Sequence, residues 1–328
     1  MAPHVILGKG PIGRTLAHHL AARGDEVLVL SRSGGGSLPT DDAAVRDRVA
    51  WEAVDGADGA ALAAAARGAD ALYNCVNPAY HRWPVDWPPV AAALLTAAER
   101  TGAVLVTAGN LYGYGAGTER MTESSPLRST ETKGRVRVTM WQDALRRHEA
   151  GVLRTTEVRG SDYLGPDAEQ HAHAGPRMLA PLLAGRTIRP IGSADQPHTW
   201  TYLPDFAAAL AAAADVEAAW GRPWHVPSPE PLTFRQVAER FARTAGAPAP
   251  RIAPMSMTAV RALGVFMPML REIAAVGYQF TAPFVMDSVA SQATLGLAPT
   301  PWDRVVAETL ARWQRDGDRA GATRSTRG

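Results

Sequence analysis

A chain of 328 residues, 46% hydrophobic and 20% charged, is long enough to bury a large core. Its net charge of +2 gives no basic field for nucleic acid or an anionic membrane, and its nine Trp and seven Tyr form no stripe with Lys and Arg. The single cysteine, Cys75, excludes an intrachain disulfide and fits a reducing compartment, so a cytoplasmic protein is expected.

The first strand is expected at 4–8, where Val5-Ile6-Leu7 leads into Gly8-Lys9-Gly10-Pro11-Ile12-Gly13. A strand so near the N-terminus leaves no room for a signal peptide. No apolar run reaches the ~18 residues that cross a bilayer. A helix over 12–23 follows the glycines. Strand, glycine turn and helix N-terminus together make a pyrophosphate cradle, with backbone N–H groups and the helix dipole facing the phosphates. Gly8, Gly10 and Gly13 let the backbone come close, and Pro11 and Ile12 complete the turn.

A second strand, 26–31, runs into Ser31-Arg32-Ser33. An NAD site carries Asp or Glu at this point, to accept from the ribose 2′-hydroxyl. A guanidinium and two hydroxyls instead suit a 2′-phosphate through charge-assisted hydrogen bonds. The expected cofactor is therefore NADP. Gly34-Gly35-Gly36 reads as a mobile loop near the adenosine end.

Helices are expected at 59–67, 88–101 and 134–150, and strands at 71–76, 103–108 and 154–159. Cys75 falls in an apolar strand and reads as a buried thiol. This βαβ rhythm predicts an α/β fold with a Rossmann-type, doubly wound parallel sheet. After Gly165-Pro166 the chain turns rich in Gly, Pro and His as far as Pro204. Helices return near 205–217, 233–245, 256–263 and 303–315. The expected division is an NADP-binding domain over 1–165 and a smaller substrate-binding region over 166–315, with segments returning to the first domain. Residues 316–328 are polar, lack apolar periodicity and are expected to be disordered.

Taken together, these residues resemble the extended short-chain dehydrogenases/reductases of the NAD(P)-dependent epimerase/dehydratase family, along nearly the whole chain. The glycine motif, Asp55 after Val54, Asn110-Leu111-Tyr112-Gly113, Thr122-Glu123-Ser124-Ser125-Pro126 and the stretch Arg159 to Pro166 carry the first half. Trp200 to Ala207, Trp224-His225-Val226-Pro227 with Leu232-Thr233, and Leu295 to Pro299 carry the second. The resemblance implies that Asp55 contacts adenine.

The catalytic motif is where the sequence departs. The family places a Ser or Thr four residues before the Tyr of its Tyr-Gly pair, and a Tyr-x-x-x-Lys further along. Counting from Tyr112, the Ser position is Ala108, and the Tyr-x-x-x-Lys position is Lys133-Gly134-Arg135-Val136-Arg137. No tyrosine lies between Tyr114 and Tyr163 to restore it. The usual chemistry needs a phenol near a lysine, to pass a proton to or from the substrate oxygen. The chain is thus similar to atypical members, and the resemblance implies NADP binding more firmly than hydride transfer.

Lys133, in the place of that Tyr, is the first candidate acid/base, its pKa expected to fall if it is desolvated beside Arg137. The alternative is that Lys133 and Arg137 simply contact cofactor phosphate or ribose. Asn110 and Thr107 flank the missing Ser and have side chains fit to hydrogen-bond a substrate carbonyl. Tyr112 lines an expected nicotinamide pocket, and Tyr163 follows a strand at the sheet's C-terminal edge.

The segment Asn77 to Pro88 reads as a loop bordering the nicotinamide, with Asn77 near the cofactor. Tyr80, His81 and Trp83 form a substrate-side wall or lid. His198 is a further substrate contact. His171-Ala172-His173 lacks the ligands that would complete a metal site, so no metal is expected. No Gly-x-Ser-x-Gly elbow argues for a serine hydrolase.

Two functions stay open from the sequence. One is an NADP-dependent oxidoreductase acting on a small carbonyl or hydroxyl metabolite, with secondary metabolism as its setting. The other is a non-redox NADP-binding protein, either a cofactor sensor or an isomerase or cyclase reusing the fold. The expected partner is a small molecule, with no nucleic acid or membrane, for a monomer or homodimer.

Overall fold

The computed structural model describes residues 4–118, 120–169 and 172–325, without the side chains of residues 268 and 316–325. The first half runs β1 (His4–Leu7), α1 (Pro11–Arg23), β2 (Val27–Ser31), α2 (Ala43–Asp47), β3 (Val49–Ala53), α3 (Gly59–Ala65), β4 (Ala71–Asn74), α4 (Trp83–Thr101), β5 (Val104–Asn110), β6 (Arg120–Met121), α5 (Thr132–Glu149) and β7 (Thr155–Gly160). The second runs β8 (Asp162–Leu164), α6 (Pro176–Leu183), β9 (Trp200–Tyr202), α7 (Leu203–Asp215), β10 (Pro223–His225), α8 (Phe234–Ala245), α9 (Met257–Gly264), α10 (Pro268–Ala275), β11 (Val285–Met286), α11 (Val289–Leu295) and α12 (Trp302–Ser325).

Seven strands form one parallel sheet in the order β10-β7-β5-β4-β1-β2-β3. Alternation along the strands shows why both faces are covered. Ile6, Tyr73 and Val106 point into a core shared with Leu16 and Leu20 of α1 and Leu210 of α7. Their neighbours Val5, Leu7, Leu72 and Leu105 point into a second core shared with Leu62 of α3 and Leu94 of α4. The expected Rossmann-type doubly wound sheet is therefore present.

The second half keeps a core of its own, built from Leu179, Trp200, Phe234, Phe241, Val305 and Leu310 on α6, β9, α8 and α12. It also lends α7 and β10 to the sheet, where Trp224 of β10 pairs beside Val158 of β7.

Several boundaries differ from the sequence expectation. α4 begins at Trp83, so half of the expected 77–88 loop is helical, with Tyr80–Arg82 a single 3₁₀ turn before it. Pro88 and Pro89 each remove an N–H donor inside this helix, which argues locally for a break. Burial of Trp83 and Trp87, both at most 1% exposed, outweighs that loss. The short elements α2, β3 and α6 carry too few residues for a periodic signal. α12 continues through Ser325, past the expected end at 315. A helix already nucleated adds one hydrogen bond per residue and needs no apolar stripe to go on. Residues 326–328 lie outside the described residues.

Candidate functional site

The glycine turn has three glycines for three reasons. Gly8 has φ +114°, and a Cβ there would lie 2.6 Å from the Cys75 carbonyl oxygen. This closeness lets β4 leave the sheet directly beside the turn. A Cβ on Gly13 would lie 1.9 Å from the Gly8 oxygen, so the helix can approach the strand only without one. Gly10 is different. It caps α1 with an ordinary φ of −71°, and a Cβ there would meet nothing within 4 Å. The second glycine faces open space, as a cradle for a ligand's phosphates requires. Pro11 occupies the first turn of α1, where its missing N–H costs nothing, and Ile12 is partly buried against the core.

At the end of β2 the Ser31 hydroxyl is buried without a hydrogen-bond partner. Arg32 and Ser33 are exposed, and Arg32 makes no hydrogen bond or ion pair among the described residues. The Lys9 ammonium reaches across to the carbonyls of Gly34 and Gly35, at 2.7 and 2.9 Å, and fastens the glycine loop beside the turn. An orphaned buried hydroxyl and an exposed guanidinium thus end β2, and a second cation reaches the loop that follows them. Asp55 is exposed and accepts from the Ala57 N–H at 3.0 Å. Asn77 is exposed beyond β4.

The C-terminal edges of β4 and β5 and the first turn of α5 converge on a group of phenols. The hydroxyls of Tyr80 and Tyr112 are 3.0 Å apart. The Lys133 ammonium lies 5.8 Å from the centre of the Tyr80 ring and bonds Glu272 of α10 at 2.9 Å. Glu131 caps α5 by accepting from the Lys133 and Gly134 N–H groups, which holds Lys133 at the helix start. Burial holds the Tyr112 phenol well above its ordinary pKa, with Tyr80 and Asp162 adding to the effect and Gln279 opposing it. Burial also raises Tyr80, with the Tyr112 hydrogen bond pulling the other way. The Tyr278 hydroxyl, next to this group, is buried without a partner.

Arg137 takes up a different place from Lys133. Its guanidinium lies 4.8 Å from the Trp83 ring and 4.6 Å from the Trp87 ring, and it donates to the Ala108 carbonyl at 3.4 Å. Burial pulls its pKa down, with Glu157 opposing. The neighbour facing Lys133 is therefore the Glu272 carboxylate, while Arg137 is clasped by indoles beneath the end of β5.

Further along, His198 pairs with the Asp162 carboxylate at 2.9 Å and stacks on Phe284. Burial alone would raise Asp162, but the hydrogen bond and charge of His198 leave it below the usual carboxylate range. His173 is packed between Trp200 and Phe280, and burial pushes its pKa down to about 4. His171 lies outside the described residues.

The sequence candidates thus divide. Tyr80, Tyr112 and Lys133 come together, with Trp83 edge-on to the Tyr80 ring. The Asn110 side chain accepts from the Tyr112 N–H at 3.2 Å, and so shapes the turn after β5. Tyr163 is half-buried on β8, its phenol pushed up to about 12 by burial. His81 is exposed. Glu272, Tyr278, Gln279 and Lys9 escaped the sequence reading. The first three lie far along the chain from the motifs they join. Lys9 was visible as the variable residue between two glycines, but its reach to Gly34 was not. Among the described residues no group of His, Cys, Asp or Glu has the arrangement of a metal site. No helix among them is long and apolar enough to cross a membrane.

The parallel sheet with helices on both faces and the glycine turn between β1 and α1 define a Rossmann-type α/β protein. The family model of the NAD dependent epimerase/dehydratase family matches residues 5–226, and the chain belongs to that family. No curated protein resembles it significantly in sequence. Solved structures share its fold across nearly their whole length. The dTDP-glucose 4,6-dehydratase of Bacillus anthracis str. Ames, in complex with NAD, superposes with a TM-score of 0.79 at 15% identity, over 97% of this chain and 98% of that one. The UDP-glucose 4-epimerase of Thermotoga maritima, with UDP-glucose, gives 0.75 at 14% identity, over 96% and 99%. The UDP-glucuronic acid 4-epimerase of Bacillus cereus, in complex with NAD, gives 0.74 at 15%, over 95% and 99%.

Proposed function

We propose that the protein is an NADP-dependent oxidoreductase of the epimerase/dehydratase family, acting on a small carbonyl or hydroxyl metabolite with non-standard catalytic residues. The observation that carries this reading is the open cradle at Gly10 together with the orphaned Ser31 hydroxyl and the free Arg32 at the end of β2. Gly8, Gly10, Pro11, Ile12 and Gly13 hold the pyrophosphate. Ser31, Arg32 and Ser33 hold a 2′-phosphate, with Lys9 as a second cation beside them. Asp55 and Asn77 flank the adenine and the nicotinamide end. The Bacillus anthracis and Bacillus cereus structures carry NAD, so the preference for NADP rests on the β2 edge alone.

A bound nicotinamide supplies or accepts hydride. The chain's own contribution is at the phenol group. Tyr80, Tyr112, Lys133, Asn110 and Tyr163 surround the sheet edge where ligands of such folds bind. Tyr80, His81, Trp83 and His198 form the substrate side. Calorimetry with NADPH and NADH tests the cofactor. Loss of NADPH absorbance in the presence of a fractionated metabolite extract tests hydride transfer.

The non-redox reading has one observation in its favour. Two cations of α5 that stand in the place of the family's Tyr-x-x-x-Lys are committed to protein partners, Lys133 to Glu272 and Arg137 to Trp83 and Trp87. Tight NADPH binding with no hydride exchange in any extract supports a sensor, isomerase or cyclase instead.

A further inference from the structure

We infer that Tyr80, supplied by the turn after β4, is the catalytic phenol of this protein, giving its proton to the substrate oxygen with Tyr112 behind it as a relay and Lys133 beside it as the positioning cation. The inference rests on the proposed oxidoreductase reading and goes beyond it by naming the acid.

Four observations meet at Tyr80. The family's phenol position on α5 is filled by Lys133, whose ammonium lies 5.8 Å from the Tyr80 ring centre. The Tyr80 hydroxyl is 3.0 Å from that of Tyr112, so a second proton is in hydrogen-bond contact with the first. The ring is fixed edge-on against Trp83, at 5.3 Å between centres, and against Tyr112, at 6.4 Å. Finally, Tyr80 follows the strand whose exit touches the glycine turn at Gly8, so the phenol and the cradle share one edge of the sheet. Tyr80 is half-buried whereas Tyr112 is buried, so Tyr80 is the more exposed member of the pair.

A phenol is protonated at neutral pH, and burial raises both of these further, so the pair holds neutral O–H groups with protons to give. A bound reduced nicotinamide would supply hydride to a carbonyl carbon, and this chain's own part is the proton. The carbonyl π pair becomes an O–H bond to the Tyr80 proton, and the proton of Tyr112 moves to the Tyr80 oxygen. One hydride and one proton give the alcohol, and once it has left a solvent proton returns to Tyr112 through Tyr80, the more exposed of the pair. The Lys133 ammonium favours the transient negative charge on Tyr80.

The test needs no substrate. NADP+ carries one more positive charge on its nicotinamide ring than NADPH. The charged groups facing Tyr80 are Lys133, Arg137 and Glu131 on or before α5 and Asp162 on β8, with Glu272 of α10 behind Lys133. A further cation next to the ring should ease its ionisation. The full chain is labelled with 3-fluorotyrosine and its seven tyrosines are followed by fluorine NMR against pH. Tyr80 is assigned by its absence in Tyr80→Phe. Saturating NADP+ should lower the Tyr80 midpoint by about one pH unit, a tenfold change, whereas NADPH should not. Lys133→Met should raise that midpoint, and Tyr112→Phe should leave the response to NADP+ in place. If NADP+ binds by calorimetry but moves Tyr278 or Tyr163, or no tyrosine, the assignment to Tyr80 is overturned and the oxidoreductase reading stands. If NADP+ does not bind at all, it is the cofactor reading that fails, and Tyr80 with it.

Discussion

The ammonium of Lys133 lies 2.9 Å from the carboxylate of Glu272, and this pair ties the first turn of α5 to α10. Lys133 is almost fully buried, while the Glu272 side chain keeps 21% of its exposure. Removing the carboxylate leaves a buried ammonium without a partner. Glu272→Gln should therefore cost about 2 kcal/mol, below the range for fully buried pairs because solvent reaches the glutamate. Urea unfolding measures this, and hydrogen exchange should show faster opening of α10. An unchanged midpoint and unchanged exchange would mean that the pair contributes nothing.

Gly10 and Gly13 separate folding from binding. A Cβ at Gly13 collides with the Gly8 oxygen, so Gly13→Ala should destabilise the fold as well as abolish cofactor binding. A Cβ at Gly10 meets nothing, and its φ of −71° suits alanine. Gly10→Ala should keep the melting temperature and still lose dinucleotide affinity, because the methyl projects into the phosphates' space. Thermal melting and calorimetry on the two variants decide it. Full NADPH affinity in Gly10→Ala would move the cradle elsewhere.

How much of this was legible beforehand depends on sequence distance. The glycine turn was readable because strand, turn and helix are contiguous, although only Gly13 answers to a neighbour within the turn, while Gly8 answers to Cys75 and Gly10 to open space. The parallel sheet was readable from its alternating elements. The beginning of α4 was not, because Pro88 and Pro89 speak locally for a break, while Trp83 and Trp87 answer to a tertiary core that includes Arg137. Lys133 and Arg137, four apart on one helix, looked like partners in one task. The fold gives one to a carboxylate 139 residues away and the other to two indoles, and no local pattern encodes that. Tyr80 was visible as part of an aromatic segment, but its contact with Tyr112 needed the two strand ends to be neighbours.

His173 supplies a pH dependence. Its folded pKa lies near 4, pushed down by burial, against an ordinary value of 6.5. The unfolded chain therefore binds a proton at a pH where the folded chain does not. The histidine's contribution is complete above pH 6.5 and is lost as pH falls from 6.5 towards 4, by about 1 kcal/mol per pH unit. His173→Phe keeps the stacking with Trp200 and Phe280 but cannot titrate. Unfolding free energies of the two proteins should converge towards neutrality in slope and diverge between pH 6 and 4.5. Parallel curves throughout that window would show that the ring is freely protonated in the fold.

At the β2 edge the prediction concerns selectivity. Arg32→Ala should weaken NADPH by roughly 1–3 kcal/mol and leave NADH nearly unchanged, because only NADPH carries the 2′-phosphate. Lys9→Met should act in the same direction through the loop that it holds at Gly34 and Gly35. Equal wild-type affinities for the two cofactors would withdraw the NADP assignment and bring the site into line with NAD.

Lys133 can be a positioning cation or a proton carrier, and two substitutions tell these apart. Arginine keeps the charge and can still meet Glu272, but stays protonated at any working pH. Methionine keeps the length and removes the charge. A positioning cation predicts that Lys133→Arg retains the unfolding midpoint, NADPH affinity within a few-fold and most of any hydride-transfer rate. Lys133→Met should then lose rate and raise the Tyr80 titration midpoint. Loss of rate in both variants, with folding and NADPH binding intact, would make Lys133 itself the group that moves the proton. The ion pair with Glu272 argues for the first outcome, because a lysine that trades its proton with substrate must leave that carboxylate at every turnover.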